Sequence, residues 1–287
     1  MSKILVTGGN GMLGSAVKEV FKDDDLILTD IDTLDVRDYK QVMAYGDLKP
    51  ELIMHLAALT DLEYCERYPA DAYMTNHTGT VNVMLLARQL AIPMVFISTA
   101  GIFDGKRISF SYDDYDIPNP INNYGRSKYF SEMALKNYDK VWTFRASWMM
   151  GGGPGKDKKF INLIYNQIKS GRTEIFALDD TVGSPTYTFD LANTIKNVID
   201  KKADYGVYNC AGEGAASRYD IAKLIIEILK PEIKIIPVKD NFFKNIFACP
   251  RSKGEVLENY KLNRLGLSKM RSWNETVKEY IEKCYMP

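Results

Sequence analysis

Tyr124-Gly125-Arg126-Ser127-Lys128 places a phenol and an ammonium four residues apart. On a helix these two side chains share one face. A phenol of ordinary pKa near ~10 exchanges protons poorly at neutral pH, and a nearby cation favours its ionised form. The same spacing also occurs on solvated helix faces. Here it follows a strand-like run, Val95-Phe96-Ile97-Ser98-Thr99, that ends in two hydroxyls. Ligands of open α/β sheets sit at the carboxyl ends of such strands. Thr99 is placed to orient a carbonyl oxygen beside Tyr124. Thr99, Tyr124 and Lys128 are therefore the candidate catalytic set, suited to moving a proton at an alcohol or ketone.

A second constellation opens the chain. Ile4-Leu5-Val6 runs into Gly8-Gly9-Asn10-Gly11-Met12-Leu13-Gly14, and a helical pattern follows. In this order of strand, glycines and helix, Gly8 permits the tight turn and Gly11 lets a phosphate approach the backbone. Gly14 lets the helix pack closely. The helix N-terminus supplies free N–H groups and a positive dipole end. A purely structural turn would carry similar glycines. Asp30, ending the next strand signal, can accept hydrogen bonds from an adenosine ribose and would repel a 2′-phosphate. A surface aspartate at a strand end is the alternative, and Arg37 lies close enough to soften the preference. Lys128 can also reach a nicotinamide ribose. The two constellations imply NAD(H), or NADP(H), acting on an alcohol or ketone.

These residues need a scaffold. Strand signals at Ile4–Thr7, Leu26–Thr29, Leu52–Leu56, Met94–Ser98 and Val141–Ala146 alternate with helical patterns at Met12–Phe21, Tyr39–Tyr45, Ala70–Leu90 and Tyr124–Asn137. Such alternation predicts an α/β fold, a Rossmann-like doubly wound parallel sheet. Asp30 to Asp35 leaves no room for a crossover helix and a full further strand, so that unit should collapse into a loop. After Ala146 the texture changes at Gly151-Gly152-Gly153-Pro154-Gly155. Helices are predicted at Phe160–Ser170, Asp190–Asp200, Tyr219–Leu229 and Asn274–Cys284, with strands at Val207–Cys210 and Ile233–Pro237. The expected division is a dinucleotide domain over 1–147, rejoined by about 186–205. A smaller, partly discontinuous α/β substrate lobe takes 148–185 and 206–287.

Composition narrows the function. The 287 residues carry 37 basic and 37 acidic side chains, so no global field favours nucleic acid or an anionic membrane. No apolar run approaches the ~20 residues of a membrane span, and since Met1-Ser2-Lys3 leads straight into a strand signal, no signal peptide is expected. Two histidines and four scattered cysteines fit neither a metal-centred mechanism nor a disulfide framework. The expectation is a cytoplasmic protein with no metal.

Taken together, the chain from Lys3 to about Ile281 resembles the extended short-chain dehydrogenase/reductase family, and within it the branch of dTDP-4-dehydrorhamnose reductases and related nucleotide-sugar enzymes. The resemblance is carried by the glycine turn, Leu56-Ala57-Ala58-Leu59-Thr60-Asp61, Asn76 within Thr75–Thr80, Ser98-Thr99, Phe103-Asp104-Gly105 and the Tyr124–Lys128 motif. It continues through Arg145-Ala146-Ser147-Trp148, Val182–Tyr187 and Arg251–Leu257. It implies cofactor contacts at Gly8, Asn10, Gly11, Met12, Leu13, Asp30, Asp35, Val36, Leu56, Ala57, Ala58, Asn76, Ser98, Tyr124, Lys128 and Ala146. Substrate contacts fall at Thr60, Thr99, Ala100, Gly101, Trp148 and Arg251, with Trp148 able to stack and Arg251 to pair with phosphate. The implied substrate is a nucleoside-diphosphate sugar, and the implied activity is NAD(P)H-dependent reduction of a 4-keto-6-deoxyhexose for activated-sugar or surface-polysaccharide biosynthesis. An epimerase retaining NAD and a non-catalytic dinucleotide-binding regulatory subunit are the alternatives, and a homodimer is the assembly some relatives form.

Three departures stand out. Ala100-Gly101 replace the Asp-Tyr usual in the branch, Ser252 replaces a proline, and Glu255 replaces a serine. The basic, glycine-rich stretch Met149–Lys156 could close over a diphosphate or form a solvated loop.

Overall fold

The computed structural model describes residues 1–243 and 247–286. The expected second lobe therefore has positions 244–246 and 287 outside the described residues.

The first elements are β1 (Lys3–Thr7), α1 (Met12–Val20), β2 (Asp25–Thr29), α2 (Tyr39–Ala44), β3 (Leu52–His55) and α3 (Leu62–Arg67). They continue with α4 (Pro69–Ala72), α5 (Gly79–Leu90), β4 (Met94–Thr99), α6 (Asn123–Leu135) and β5 (Val141–Ala146). The strands form the core of a six-stranded parallel sheet whose order is β10-β5-β4-β3-β1-β2, where β10 spans Gly206–Asn209. The expected collapse is present. Residues 30–38 form a loop before α2, and β2 remains the sheet edge. The strands are apolar throughout because helices cover both faces. Ile4, Val6, Met54, Val95 and Phe144 pack with Val17 of α1 on one side. Leu5, Ile53 and Phe96 pack with Val83 and Leu86 of α5 on the other.

The predicted helix Ala70–Leu90 is helical throughout its length, but Tyr73–Thr78 is a π-helical turn between α4 and α5. Hydrophobic spacing cannot reveal such a turn, since one inserted residue barely disturbs the apolar stripe. Its wider winding accompanies additional side-chain bonding to the Asn76 carbonyl, which accepts Thr80 Oγ1 at 2.5 Å and Ser131 Oγ at 2.7 Å. Such turns occur frequently at functional sites.

The remaining elements are β6 (Met149–Met150), α7 (Phe160–Lys169), β7 (Glu174–Leu178), β8 (Val182–Gly183), β9 (Thr186–Tyr187) and α8 (Thr188–Asp200). After β10 come β11 (Ala216–Ser217), α9 (Arg218–Leu229), β12 (Lys234–Val238), β13 (Gly254–Glu255), α10 (Tyr260–Arg264) and α11 (Trp273–Cys284). Ile161, Ile164, Ile175, Ile225, Tyr280 and Ile281 make a second core. The short strands β11, β8 and β13 form one small sheet.

The division at 206 requires correction. Strand β10 pairs with β5 in the main sheet, and Leu262, Leu267 and Met270 join Val17 and Ile195 in the first core. The chain thus returns to the first lobe twice more, at 206–210 and at about 260–270. Length and texture did not reveal this, because a four-residue strand reads alike in either sheet.

Candidate active site

The glycine turn is built as its residue types require. Gly8 has φ +71°, and a Cβ there would meet the Ala57 nitrogen at 2.6 Å. A Cβ on Gly14 would lie 2.3 Å from the Gly9 carbonyl oxygen, so the close helix approach excludes any side chain. A Cβ on Gly11 would meet only the Gly8 oxygen, at 3.3 Å. Its outer side is open to a ligand. Met12 and Leu13 then begin α1. Asp30 directly follows β2 beside this turn, with Oδ2 accepting the Asn10 N–H at 3.0 Å and Oδ1 that of Ile31 at 2.9 Å. Asp35 binds Arg37 through Nε and Nη2, the latter at 2.6 Å. The Arg37 guanidinium holds the Asp35 carboxyl below the usual carboxylate range. Arg37 is therefore engaged rather than free to attract a 2′-phosphate. Val36 is buried against α5, where a Cβ on Gly79 would lie 2.7 Å from its Cγ2.

Leu56 and Ala57 leave β3 along the turn. Their N–H groups donate to the Thr7 carbonyl oxygen and hydroxyl at 3.1 and 3.3 Å. Ala58 continues this loop to Leu59. Asn76 is fully buried and tied to that loop. Its Oδ1 accepts Leu59 N–H at 2.8 Å, while Nδ2 donates to Leu59 O at 3.0 Å and Ser127 Oγ at 2.9 Å. Both amide protons are used by protein, so Asn76, expected as a cofactor contact, ties this loop to α6. Ser98, at the end of β4, has a buried hydroxyl without a protein partner. Ala146 lies beside Thr99 in the sheet.

Helix α6 starts from Asn122, whose Oδ1 accepts the Gly125 N–H at 2.8 Å. Gly125 is required by packing, since a Cβ would lie 2.1 Å from the Gly101 carbonyl oxygen. This contact sets Tyr124 beside the end of β4. Thr99 Oγ1 accepts the Gly101 N–H at 3.1 Å, leaving its hydroxyl proton available. Burial pushes the Tyr124 phenol up to about 12, with the Thr99 hydroxyl opposing. Lys128 is 3% exposed and lies 4.1 Å from the Phe96 ring centroid. Its ammonium has no hydrogen-bond acceptor among the described residues. Burial lowers it to about 7 against the pull of Glu132. The expected depression of the phenol by Lys128 is therefore not found. Desolvation is the dominant influence on the Tyr124 phenol, and Lys128 is not among the groups that shift it. The phenol retains its proton, as a donor must.

The arrangement fits a dinucleotide on two structural grounds. Gly8 and Gly11 form a cradle with room on its outer side, and Lys128 is a buried cation lacking an acceptor.

On the opposite side, Gly101 faces the site, because a Cβ there would sit 3.6 Å from Tyr124 Cε1. Ala100 does not. It is 1% exposed and packs with Ile102, Phe103, Tyr112 and Leu257. Thr60 is exposed, and its carbonyl and hydroxyl oxygens both accept from Lys159 Nζ at 3.2 Å. Arg251 pairs with Glu63 at 2.9 Å, and Glu63 also accepts the Ala248 N–H at 2.9 Å. Loop 151–157 lies over the start of α1, where Lys156 Nζ reaches Ser15 Oγ at 2.7 Å. Trp148 has φ +24° and packs against Gly183, where a Cβ would be 2.4 Å from the indole. Its Nε1 donates to Glu255 Oε2 at 2.6 Å, and the Arg218 guanidinium lies 3.5 Å from its ring centroid. Sequence reasoning missed Arg218 and Lys159 entirely. Only the Ser217–Asp220 capping box marks the helix start that fixes Arg218.

The fold is a Rossmann-like α/β fold of the extended short-chain dehydrogenase/reductase kind, with a tyrosine and a lysine four residues apart on α6 beside the end of β4. Residues 2–286 match the family described as "RmlD substrate binding domain", and the chain belongs to that family. It is 29% identical to the spore coat polysaccharide biosynthesis protein SpsK of Bacillus subtilis, over 99% of this chain and 98% of that one. A crystal structure of a dTDP-4-dehydrorhamnose reductase from Clostridium acetobutylicum superposes with TM-score 0.93 and 32% identity, covering 99% and 100% of the two chains. The dTDP-4-dehydrorhamnose reductase of Bacillus anthracis, solved in complex with NADP, gives 0.90 and 30%, with the same coverages.

Proposed function

We propose that this protein reduces the ketone of a nucleoside-diphosphate 4-keto-6-deoxyhexose, using NADH or NADPH, in the biosynthesis of an activated sugar. The observation that carries the reading is the joint placement of Thr99, Tyr124 and Lys128 at the carboxyl end of β4. Family membership and the reductases named above support the substrate class.

A reduced nicotinamide held at this site would supply the hydride for the carbonyl carbon. Tyr124 donates its proton to the oxygen as negative charge develops there. A phenol pushed up to about 12 is protonated at neutral pH, as a proton donor must be. Thr99 donates its free hydroxyl proton to the same oxygen and fixes its position. Lys128 donates to hydroxyls of the nicotinamide ribose, which supply the acceptors its buried ammonium lacks. The glycine turn and the N-terminus of α1 receive the pyrophosphate. Asp30 accepts from the adenosine ribose, and with Arg37 engaged by Asp35 we expect NADH to be preferred.

The direct test follows dinucleotide oxidation against dTDP-, UDP-, GDP- and CDP-linked 4-keto-6-deoxyhexoses. Turnover with one of them supports the reading. Absence of oxidation with all four, in protein that binds NADH, would overturn it. A cytoplasmic location and a homodimeric assembly complete the proposal, and native mass spectrometry tests the latter.

A further inference from the structure

The small β11-β8-β13 sheet has no role in the first lobe, yet it gathers three groups. Its register places Ser217 opposite Val182 and Glu255 opposite Gly183. Arg218 follows Ser217 at the start of α9. Gly183, Glu255 and Arg218 thus converge on Trp148.

The indole is already occupied. Gly183 packs on it, Arg218 lies over its ring, and its N–H is spent on Glu255. Free hydrogen-bonding capacity resides instead in its neighbours. Arg218 lies 3.5 Å from the Trp148 centroid and 4.9 Å from that of Phe160. Its guanidinium has no hydrogen bond or ion pair among the described residues. Glu255 uses Oε2 for the indole, and its Oε1 takes no donor from them. Trp148, Arg218 and Glu255 are each half-buried, as groups lining a cleft are. Glu255 is close enough to Tyr124 to raise its pKa. Arg251 and Lys159 each oppose the charge of Arg218 or are opposed by it, so cations gather on this side of the cleft. Arg251 is paired with Glu63, but Arg218, without an ion pair among the described residues and with further cations near it, favours an anionic group. A carboxylate near the phenol favours a hydroxyl donor.

We propose that Trp148 is a scaffold rather than a sugar platform, fixing Arg218 to donate to the diphosphate of the substrate and Glu255 to accept from a sugar hydroxyl near the carbonyl. This deepens the nucleotide-sugar reading and rests on it. Glu255 then determines which hexulose is accepted, and Arg218 holds the nucleotide regardless of the sugar. The indole N–H aligns Glu255 while the ring face supports the guanidinium.

Calorimetry with dTDP and UDP, probes that carry the diphosphate without the sugar, separates the two roles. Arg218→Gln should weaken the better-bound diphosphate about 10–100-fold, the loss of charge-assisted hydrogen bonds. Arg218→Lys, which keeps the charge but not the fork, should fall between. Glu255→Gln should leave diphosphate binding unchanged and raise KM for the keto sugar about tenfold or more. Trp148→Phe should copy Glu255→Gln, because it keeps a ring and loses the N–H. NADH binding and melting temperature, measured on every variant, identify any that misfolds, and Arg218→Lys serves if Arg218→Gln does. Unchanged diphosphate binding in the folded Arg218 variants, or an unchanged KM in Glu255→Gln, overturns the proposal. Wild type that binds neither diphosphate overturns the nucleotide-sugar reading itself.

Discussion

The two sides of the cleft are assembled by different physics. On the β4–α6 side, each reacting group is placed by local structure. Thr99 ends a strand, Tyr124 and Lys128 share a helix face, and two glycines clear the approach of α6 and of α1. On the other side, Glu255 lies 107 residues along the chain from the Trp148 indole it binds and Arg218 comes from a third segment, each brought in by or beside a two-residue strand. Chemistry written into local structure can be read from spacing. Selectivity written into tertiary contacts cannot.

This difference explains what was legible. The main strands and helices emerged from apolar periodicity because each buries a face several turns or residues long. The loop at residues 30–38 followed from simple lack of chain. The short pairs β6–β9 and β11-β8-β13 left no signal, since two residues carry no usable period, and strand β7 was missed as well. Asn76 was identified as a cofactor contact, yet its amide serves Leu59 and Ser127. Residue type alone could not show where its bonds go. Ala100 was expected in the sugar pocket. The turn after Thr99 points it into the core and leaves only Gly101 facing Tyr124. Trp148 was given a stacking role, and spacing could not show that Gly183 and Arg218 lie against its ring.

The comparison breaks most visibly at the proton donor. Tyr124→Phe should lower turnover about 10²–10⁴-fold while NADH affinity holds, measured by fluorescence titration. Near-normal turnover would remove the phenol from the chemistry and with it the contrast between the two sides.

Gly14→Ala probes how tightly local structure sets the cofactor side. The added methyl must displace the Gly9 carbonyl, which should cost about 1–3 kcal/mol of stability and weaken NADH binding. Denaturant melts and titration check both. An undisturbed protein would show that the turn has slack.

A smaller, pH-dependent effect resides in His55, buried behind the site between Thr7 Oγ1 at 2.7 Å and Thr80 Oγ1 at 3.0 Å. Burial lowers it to about 3, against ~6.5 in an unfolded chain. The folded state therefore favours the neutral ring. Its contribution is full above pH ~6.5 and is lost as pH falls toward 3. Replacement by Asn should flatten the acid limb of a stability–pH curve, and an unchanged limb would place the acid sensitivity elsewhere.

The smallest expected change is in cofactor choice. Asp30→Ala should narrow a preference for NADH over NADPH by removing ribose acceptors and a repelling charge, as the ratio of kcat/KM values reports. A wild-type preference for NADPH would show that the Arg37–Asp35 pair opens when the cofactor binds.

The central claim is net reduction, and isotope transfer tests it most directly. Given NADH deuterated on the transferable position and a 4-keto-6-deoxyhexose nucleotide, the protein should oxidise one dinucleotide per sugar and leave deuterium on the former carbonyl carbon. A sugar that changes configuration without consuming NADH, or one left untouched while the dinucleotide stays bound, would contradict the account.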